Sequence, residues 1–304
     1  MIQASPGQSP AHADTRLSTG PRGDGWRARL ELGFEPGPGR TVLRHRRHHG
    51  PLRVQRTFHP EGVPCHSYVL HPPGGVVGGD VLEIDVASAA GAHALVTTPA
   101  AGKFYRSAGG TARQCQHLRV GGGAALEWLP SLNILHAGSR AAMRSRFELA
   151  PGGRLLAWDL LGLGRPGSGD HFEHGACDIA LEVVVGECRL LVERLRLDGG
   201  AALLQAPWGL QGRRYLATLI AWPGTGEMLA ALRREAADNG ADPVMGCTLL
   251  GEGAVGDAPG SGLLICRWFA HSGEAVWEAM IRAWFLLRPL VMGRPASAPR
   301  IWST

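Results

Sequence analysis

The chain has 304 residues, 44% of them hydrophobic and 19% charged, which is too apolar for a disordered protein and enough for one large core or two modest ones. Its 31 basic and 26 acidic residues leave a formal net charge of only +5, with no interleaving of basic and aromatic side chains of the kind a nucleic-acid surface needs. Gly 44 and Pro 21 favour short strands and turns, and the chain offers neither an apolar run long enough to span a membrane nor the basic start and apolar core of a secretory signal.

Residues 1–24 are rich in Pro, Gly, Ser and Ala without apolar periodicity, so they read as a disordered tail ahead of a single domain over 25–304. Order is expected from Trp26, where Trp26, Ala28, Leu30 and Leu32 alternate with Arg27, Arg29 and Glu31 at the period of a half-buried strand. The cluster Arg44-His45-Arg46-Arg47-His48-His49 reads as a solvated strand end or loop rather than a phosphate site. On the strand expected over 80–86, Leu82, Ile84 and Val86 face one way. Glu83 and Asp85 face the other, roughly 6.6 Å apart at about 3.3 Å per residue.

The chain then repeats one device, a strand, a glycine turn and a second short apolar strand. Four post-turn strands are predicted at Ala92–Thr98, Ala124–Leu129, Arg154–Leu160 and Glu187–Leu195, and the glycines before them (Gly91, Gly123, Gly153, Gly186) are 32, 30 and 33 residues apart. That spacing predicts stacked β-hairpins or a β-helix-like pile of two-layer sheets, so the fold class is all-β dominated. Two helices follow in the C-terminal third. One covers 226–238, with Thr225 as cap and Asn239-Gly240 as terminator. The other covers 273–287, with Ser272 as N-cap and Pro289 just past its end. Trp277 and Trp284 lie on the apolar face of the second, as core or as a partner groove.

Six dispersed cysteines form no CxxC pair, so they are expected to be reduced thiols of a cytoplasmic chain, with no structural zinc. Lys103 is the only lysine beside thirty arginines. A compact ammonium is not replaceable by a planar guanidinium where packing is tight, which singles it out.

Familiar catalytic motifs fail on context. Gly162–Gly167 and Gly251–Gly256 both match GxGxxG, but neither is followed by a sequence able to open a helix toward a pyrophosphate. Gly74-Gly75-Val76-Val77-Gly78-Gly79-Asp80 lacks the Gly-Lys-Ser/Thr of a phosphate loop. What remains is a scatter of metal-competent side chains. Six of the thirteen histidines fall between His45 and His71, and His171-Phe172-Glu173-His174 gathers two imidazoles and a carboxylate. Imidazoles suit nickel and carboxylates suit weak, exchangeable binding, but no group has the spacing of a closed site.

Gly50-Pro51-Leu52-Arg53-Val54-Gln55, His71-Pro72-Pro73-Gly74-Gly75 through Asp80, Thr97-Thr98-Pro99 and Lys103-Phe104-Tyr105-Arg106-Ser107 follow one another along the chain. They carry a resemblance of the segment from Gly50 to Ser107 to the UreD (UreH) family of urease accessory proteins. It continues at Leu126–Pro130, Leu163-Gly164-Arg165, Glu193-Arg194, Leu287-Arg288-Pro289 and the final Pro299–Thr304. Three departures stand out. Ala100-Ala101-Gly102 precedes Lys103 in place of the family's Gly-Ala-Thr, Ser131-Leu132 stands for Gln-Glu, and Gly167 and Asp170 for Ala and Glu.

The resemblance implies a non-catalytic, largely β-helical platform that binds urease apoprotein and recruits UreF and, through it, the GTPase UreG. It implies no permanently bound cofactor and a transient Ni2+ cargo. A transient path for that cargo is expected along Asp80, Glu83, Asp85, Lys103, Glu127 and Asp159, with His171, Glu173 and His174 as further ligand candidates. Arg300, Ile301 and Trp302 are expected to face UreF. Two other readings stand beside this one: a pure assembly adaptor that never touches nickel, and a metal-dependent enzyme using His171, Glu173 and His174.

Overall fold

The computed structural model describes residues 25–237, 242–253 and 260–303. The expected tail over 1–24, the Asn239-Gly240 terminator, the end of the second GxGxxG stretch and Thr304 lie outside these residues.

In chain order the strands begin with β1 (Arg27–Gly37), β2 (Arg40–His49), β3 (Arg53–Val54) and β4 (Cys65–Leu70). Three successive coils follow. They are β5 (Val81–Ser88), β6 (His93–Thr97) and β7 (Gly102–Phe104); β8 (Ala112–Val120), β9 (Ala125–Leu129) and β10 (Asn133–Leu135); then β11 (Arg140–Leu149) and β12 (Arg154–Leu163). The chain ends with β13 (Ala176–Val185), β14 (Cys188–Asp198), β15 (Tyr215–Gly224), α1 (Gly226–Ala237), β16 (Val244–Leu250), β17 (Gly262–Ala270) and α2 (Gly273–Met292).

Two sheets face each other. The seven-stranded sheet runs β14-β13-β11-β8-β5-β1-β2, and the ten-stranded sheet runs β16-β17-β15-β12-β9-β6-β4-β3, with β7 and β10 beside β12. The all-β, stacked reading holds, and its geometry is that of a solenoid. At Gly91, Gly123 and Gly152 the chain does not fold back on itself as a hairpin; it crosses from one sheet to the other. β5, β8, β11 and β13 therefore pair in parallel in one sheet, and β6, β9 and β12 in the other. Parallel neighbours need a long return path, and each coil of about thirty residues supplies one. Of these four corners, Gly186 alone joins strands, β13 and β14, that form an antiparallel pair.

The turns stack as the strands do. Gly121 N–H donates to Ser88 O at 2.8 Å, Ala150 to Val120 O at 2.8 Å and Gly186 to Leu149 O at 2.8 Å. Gly91, Gly123, Gly152 and Gly186 all have positive φ, which is why glycine marks each corner.

Alternation decides the faces. In β5, Leu82, Ile84 and Val86 point between the sheets while Glu83 and Asp85 point out. β6 and β9 are buried on both sides, because the second face of their sheet is covered by α2. Val276, Met280, Trp284, Leu287 and Val291 of α2 pack on Leu95, Leu129, Leu156 and Trp158. Each fully buried side chain of this size contributes about 1.5–3 kcal/mol.

Thr225 Oγ1 accepts the Met228 N–H of α1 at 3.3 Å, and Ser272 Oγ accepts the Ala275 N–H of α2 at 3.4 Å, so both caps are as expected. The end of α2 is not. The helix continues through Pro289 to Met292 and closes on Gly293 in the left-handed conformation. An interior proline costs about 3 kcal/mol, and burial of Val291 and Met292 beyond it offsets that cost.

Candidate functional site

Two buried polar sites emerge from the fold, one on each face of the ten-stranded sheet. The first lies under α2. β6 and β9 are in parallel register, with Leu95 opposite Glu127, so His93 and Glu127 leave the sheet on the same face, toward the helix. Arg288 descends from α2 and Glu61 from the loop before β4, where His66 sits. Arg288 and Glu127 are fully buried.

The contacts around Glu127 are dense. Arg288 Nε donates to Glu127 Oε2 at 2.9 Å and Arg288 Nη2 to Oε1 at 3.0 Å. Trp284 Nε1 donates to Oε2 at 2.9 Å, and His93 Nε2 lies 2.9 Å from Oε1. The guanidinium also grips Glu61, with Nη1 to Oε2 at 2.6 Å and Nη2 to Oε1 at 2.9 Å, and Glu61 Oε1 is 2.7 Å from His66 Nε2. Burial pushes both carboxyls up. Hydrogen bonds from His66 and Arg288 outweigh it at Glu61 and hold that group at about 2. At Glu127, His93 and Arg288 do the same and the group stays below its ordinary range. Every oxygen of Glu127 is occupied by a partner, so this site holds structure together rather than offering ligands.

The second site lies between the sheets. In β12, Leu155, Ala157, Asp159 and Leu161 face inward, and Asp159 stands beside Thr218 of β15. It lines a cavity of about 310 Å³ whose other polar walls include Gln116, Ser145 and Thr218. Arg267 of β17 donates to Glu193 of β14, bridging the two sheets beside the exposed Trp208. Asp159 Oδ1 is shut off from water and has no hydrogen-bond partner. Burial raises the carboxyl to about 6 despite a hydrogen bond from Asn133. A half-buried carboxyl in the wall of a cavity that also carries several neutral oxygens has the donor chemistry of weak, exchangeable cation binding.

The residues expected along one polar path are therefore divided. Only Asp159 faces the interior cavity. Glu127 faces α2. Glu83 and Asp85 lie on the outer face of the seven-stranded sheet, where Asp85 is within 3.4 Å of Arg29 and 3.7 Å of His117. Asp80 ties the chain entry to the glycine turn, accepting the Trp26 N–H at 2.8 Å and the Val77 N–H at 2.9 Å. Lys103 is half-buried on β7 and its carbonyl accepts the Val76 N–H at 2.7 Å.

His171, Glu173 and His174 are exposed in one loop, and among the described residues no group of three or more His, Cys, Asp or Glu is placed to hold a metal ion. Arg300 is exposed and Ile301 half-buried. Trp302 packs against Trp158, Trp277 and Trp284 at 5.2–5.6 Å between ring centroids and donates to Thr97 Oγ1 at 3.1 Å. Its role in the fold is core packing.

Sequence reasoning does not single out His93, Glu61, His66 or Arg288 as site residues. A signal existed for two members of the cluster, since Glu127 interrupts Ala-Leu-x-Trp-Leu and Arg288 interrupts the apolar run of α2, and a charge in such a setting needs a partner.

The family model for the UreD urease accessory protein matches residues 27–303. Among curated relatives, the urease accessory protein UreD of Alkalilimnicola ehrlichii is 49% identical over 292 residues, covering 96% of both chains. The protein of that name from Pseudomonas putida is 47% identical over 280 residues, 92% of this chain and 95% of its own. The one from Citrobacter koseri is 42% identical over 282 residues, 92% of each.

Proposed function

The chain belongs to the UreD urease accessory protein family, and from that premise we propose that it is a non-catalytic scaffold which binds urease apoprotein and, with UreF and UreG, passes nickel to the urease active site. The observation that carries this reading is the inter-sheet cavity with the Asp159 carboxyl in its wall. The solenoid supplies a rigid shell, and the two sheets leave between them a space wide enough for a cation with part of its hydration. Asp159 gives that space one exchangeable anionic ligand, and Gln116, Ser145 and Thr218 give it neutral ones. Nickel is cargo here, held weakly so that it can leave.

The outer carboxylates Glu83 and Asp85 play no part in this path. Asp85 forms surface ion pairs with Arg29 and His117, and Glu83 lies on the same outer face, a setting that suits contact with partners or simple solvation. The test is nickel content and activity of urease purified from cells that express its structural subunits and the other accessory proteins, with and without this chain. Loss of both without the chain supports the reading, and nickel-replete urease in its absence overturns it.

A further inference from the structure

β16 and β17 set two cysteines directly opposite each other. Cys247 pairs in register with Cys266 across the antiparallel ladder. Side chains opposed in this way leave the sheet on the same face, here the face packed under the helices. β16 is the outermost strand of its sheet, so Cys247 is half-buried at an edge while Cys266 is buried behind it. Opposed Cα atoms on antiparallel strands lie roughly 4.5–5.5 Å apart, inside the roughly 4.4–6.8 Å that a disulfide spans. Neither strand has to slip for the sulfurs to join.

The two thiols are unequal. A hydrogen bond from Cys266 overcomes burial at Cys247 and, with the hydrogen bond and charge of Arg233, lowers that thiol to about 6. The same hydrogen bond and burial push Cys266 well up. Arg233 of α1 is anchored at the spot, its Nη2 donating to the Cys247 carbonyl at 3.1 Å. A buried pair of cysteines can be plain packing. A pair with one thiol at a sheet edge beside a guanidinium and the other directly behind it has the layout of an attacking and a resolving thiol.

We propose that Cys247 and Cys266 form a redox modification site at which low-molecular-weight disulfides of the glutathione class convert the pair to a cross-strand disulfide. The Cys247 thiolate attacks one sulfur of the external disulfide. That S–S bond breaks, a mixed disulfide forms on Cys247, and the departing thiolate takes up a proton. Cys266 then gives its proton to solvent, attacks the Cys247 sulfur and expels the second small thiolate. Two protein thiols are oxidised and one external disulfide is reduced to two thiols. The product staples the edge strand β16 to β17 beneath α1.

The test equilibrates the purified full chain with reduced and oxidised glutathione over a series of ratios, blocks free thiols by alkylation and maps the peptides by mass spectrometry. The expected result is a Cys247–Cys266 cross-link at ratios where Cys65 and Cys177 remain free, and trapping of glutathione on Cys247 in a folded Cys266→Ser chain. At pH 7 the reduced protein should alkylate at Cys247 roughly tenfold faster than at Cys266. Two outcomes overturn the proposal. In one, Cys247 and Cys266 both stay free at ratios that modify the exposed Cys188. In the other, the unsubstituted protein keeps glutathione on Cys247 with Cys266 free. Both are read from the unsubstituted chain, so neither depends on how the variant folds.

Discussion

Arg288 occupies a helix face made otherwise of Trp284, Leu287 and Val291, and it is tolerated there only because two carboxylates and a carbonyl meet it. Replacing it with Met removes the one guanidinium between Glu61 and Glu127 and leaves both anions under α2. Breaking a buried pair in this way costs about 3–5 kcal/mol, so urea unfolding of Arg288→Met should show a loss of that order. The two faces of the sheet also respond to pH in opposite senses. Glu61 is held at about 2, below its ordinary value of 4.5. Its contribution is present above about 4.5 and is lost as pH falls toward 2, so Glu61→Gln should flatten the acid limb of a Tm profile. Asp159 is raised from 3.8 to about 6. The folded state holds that proton more tightly, so its stabilising contribution is complete below 3.8 and lost as pH rises through 6. Asp159→Asn should therefore raise stability at pH 8, on the order of 2–3 kcal/mol, and change it little at pH 4.

At the scale of elements, the corners of the solenoid are the weak points. A Cβ on Gly123 meets nothing within 4 Å, yet its φ is +66°. The cost of Gly123→Ala is then purely conformational, about 1–2 kcal/mol, and Gly123→Asn should recover most of it because asparagine enters that region more readily. Thermal unfolding of the two variants checks the order. The near-regular spacing of Gly91, Gly123, Gly153 and Gly186 made these corners legible in the sequence, although the left-handed residue of the third is Gly152, one position earlier; both helix starts were legible from their caps. Hairpin or crossover was not legible. A glycine turn between two apolar strands looks the same whether the second strand pairs with the first or with the strand one coil earlier, and only the stacking of β6, β9 and β12 on one another decides it. Pro289 misled for a related reason: local chemistry favours a stop there, and burial of Val291 and Met292 carries the helix past it.

For the whole molecule, the candidate site was legible residue by residue but not as a place. Asp159 and Glu127 were recognisable as charges inside apolar strands. That they point to opposite faces of one sheet follows from which sheet each strand joins, a long-range fact that spacing does not contain. Glu83 and Asp85 show the converse, since the alternation that revealed them also put them outside once β5 joined the seven-stranded sheet. The proposed nickel route accordingly rests on the inter-sheet cavity and on none of the outer carboxylates. The most direct measurement is the nickel content of urease matured with a Thr218→Trp chain, which fills the cavity, beside an outer-face control carrying Glu83→Gln and Asp85→Asn. Both chains are first confirmed folded and bound to the urease apoprotein. A route through the cavity predicts nickel-poor urease with the filled cavity and normal loading with the outer-face control. Normal loading through a filled cavity would contradict it and leave the chain as an assembly adaptor.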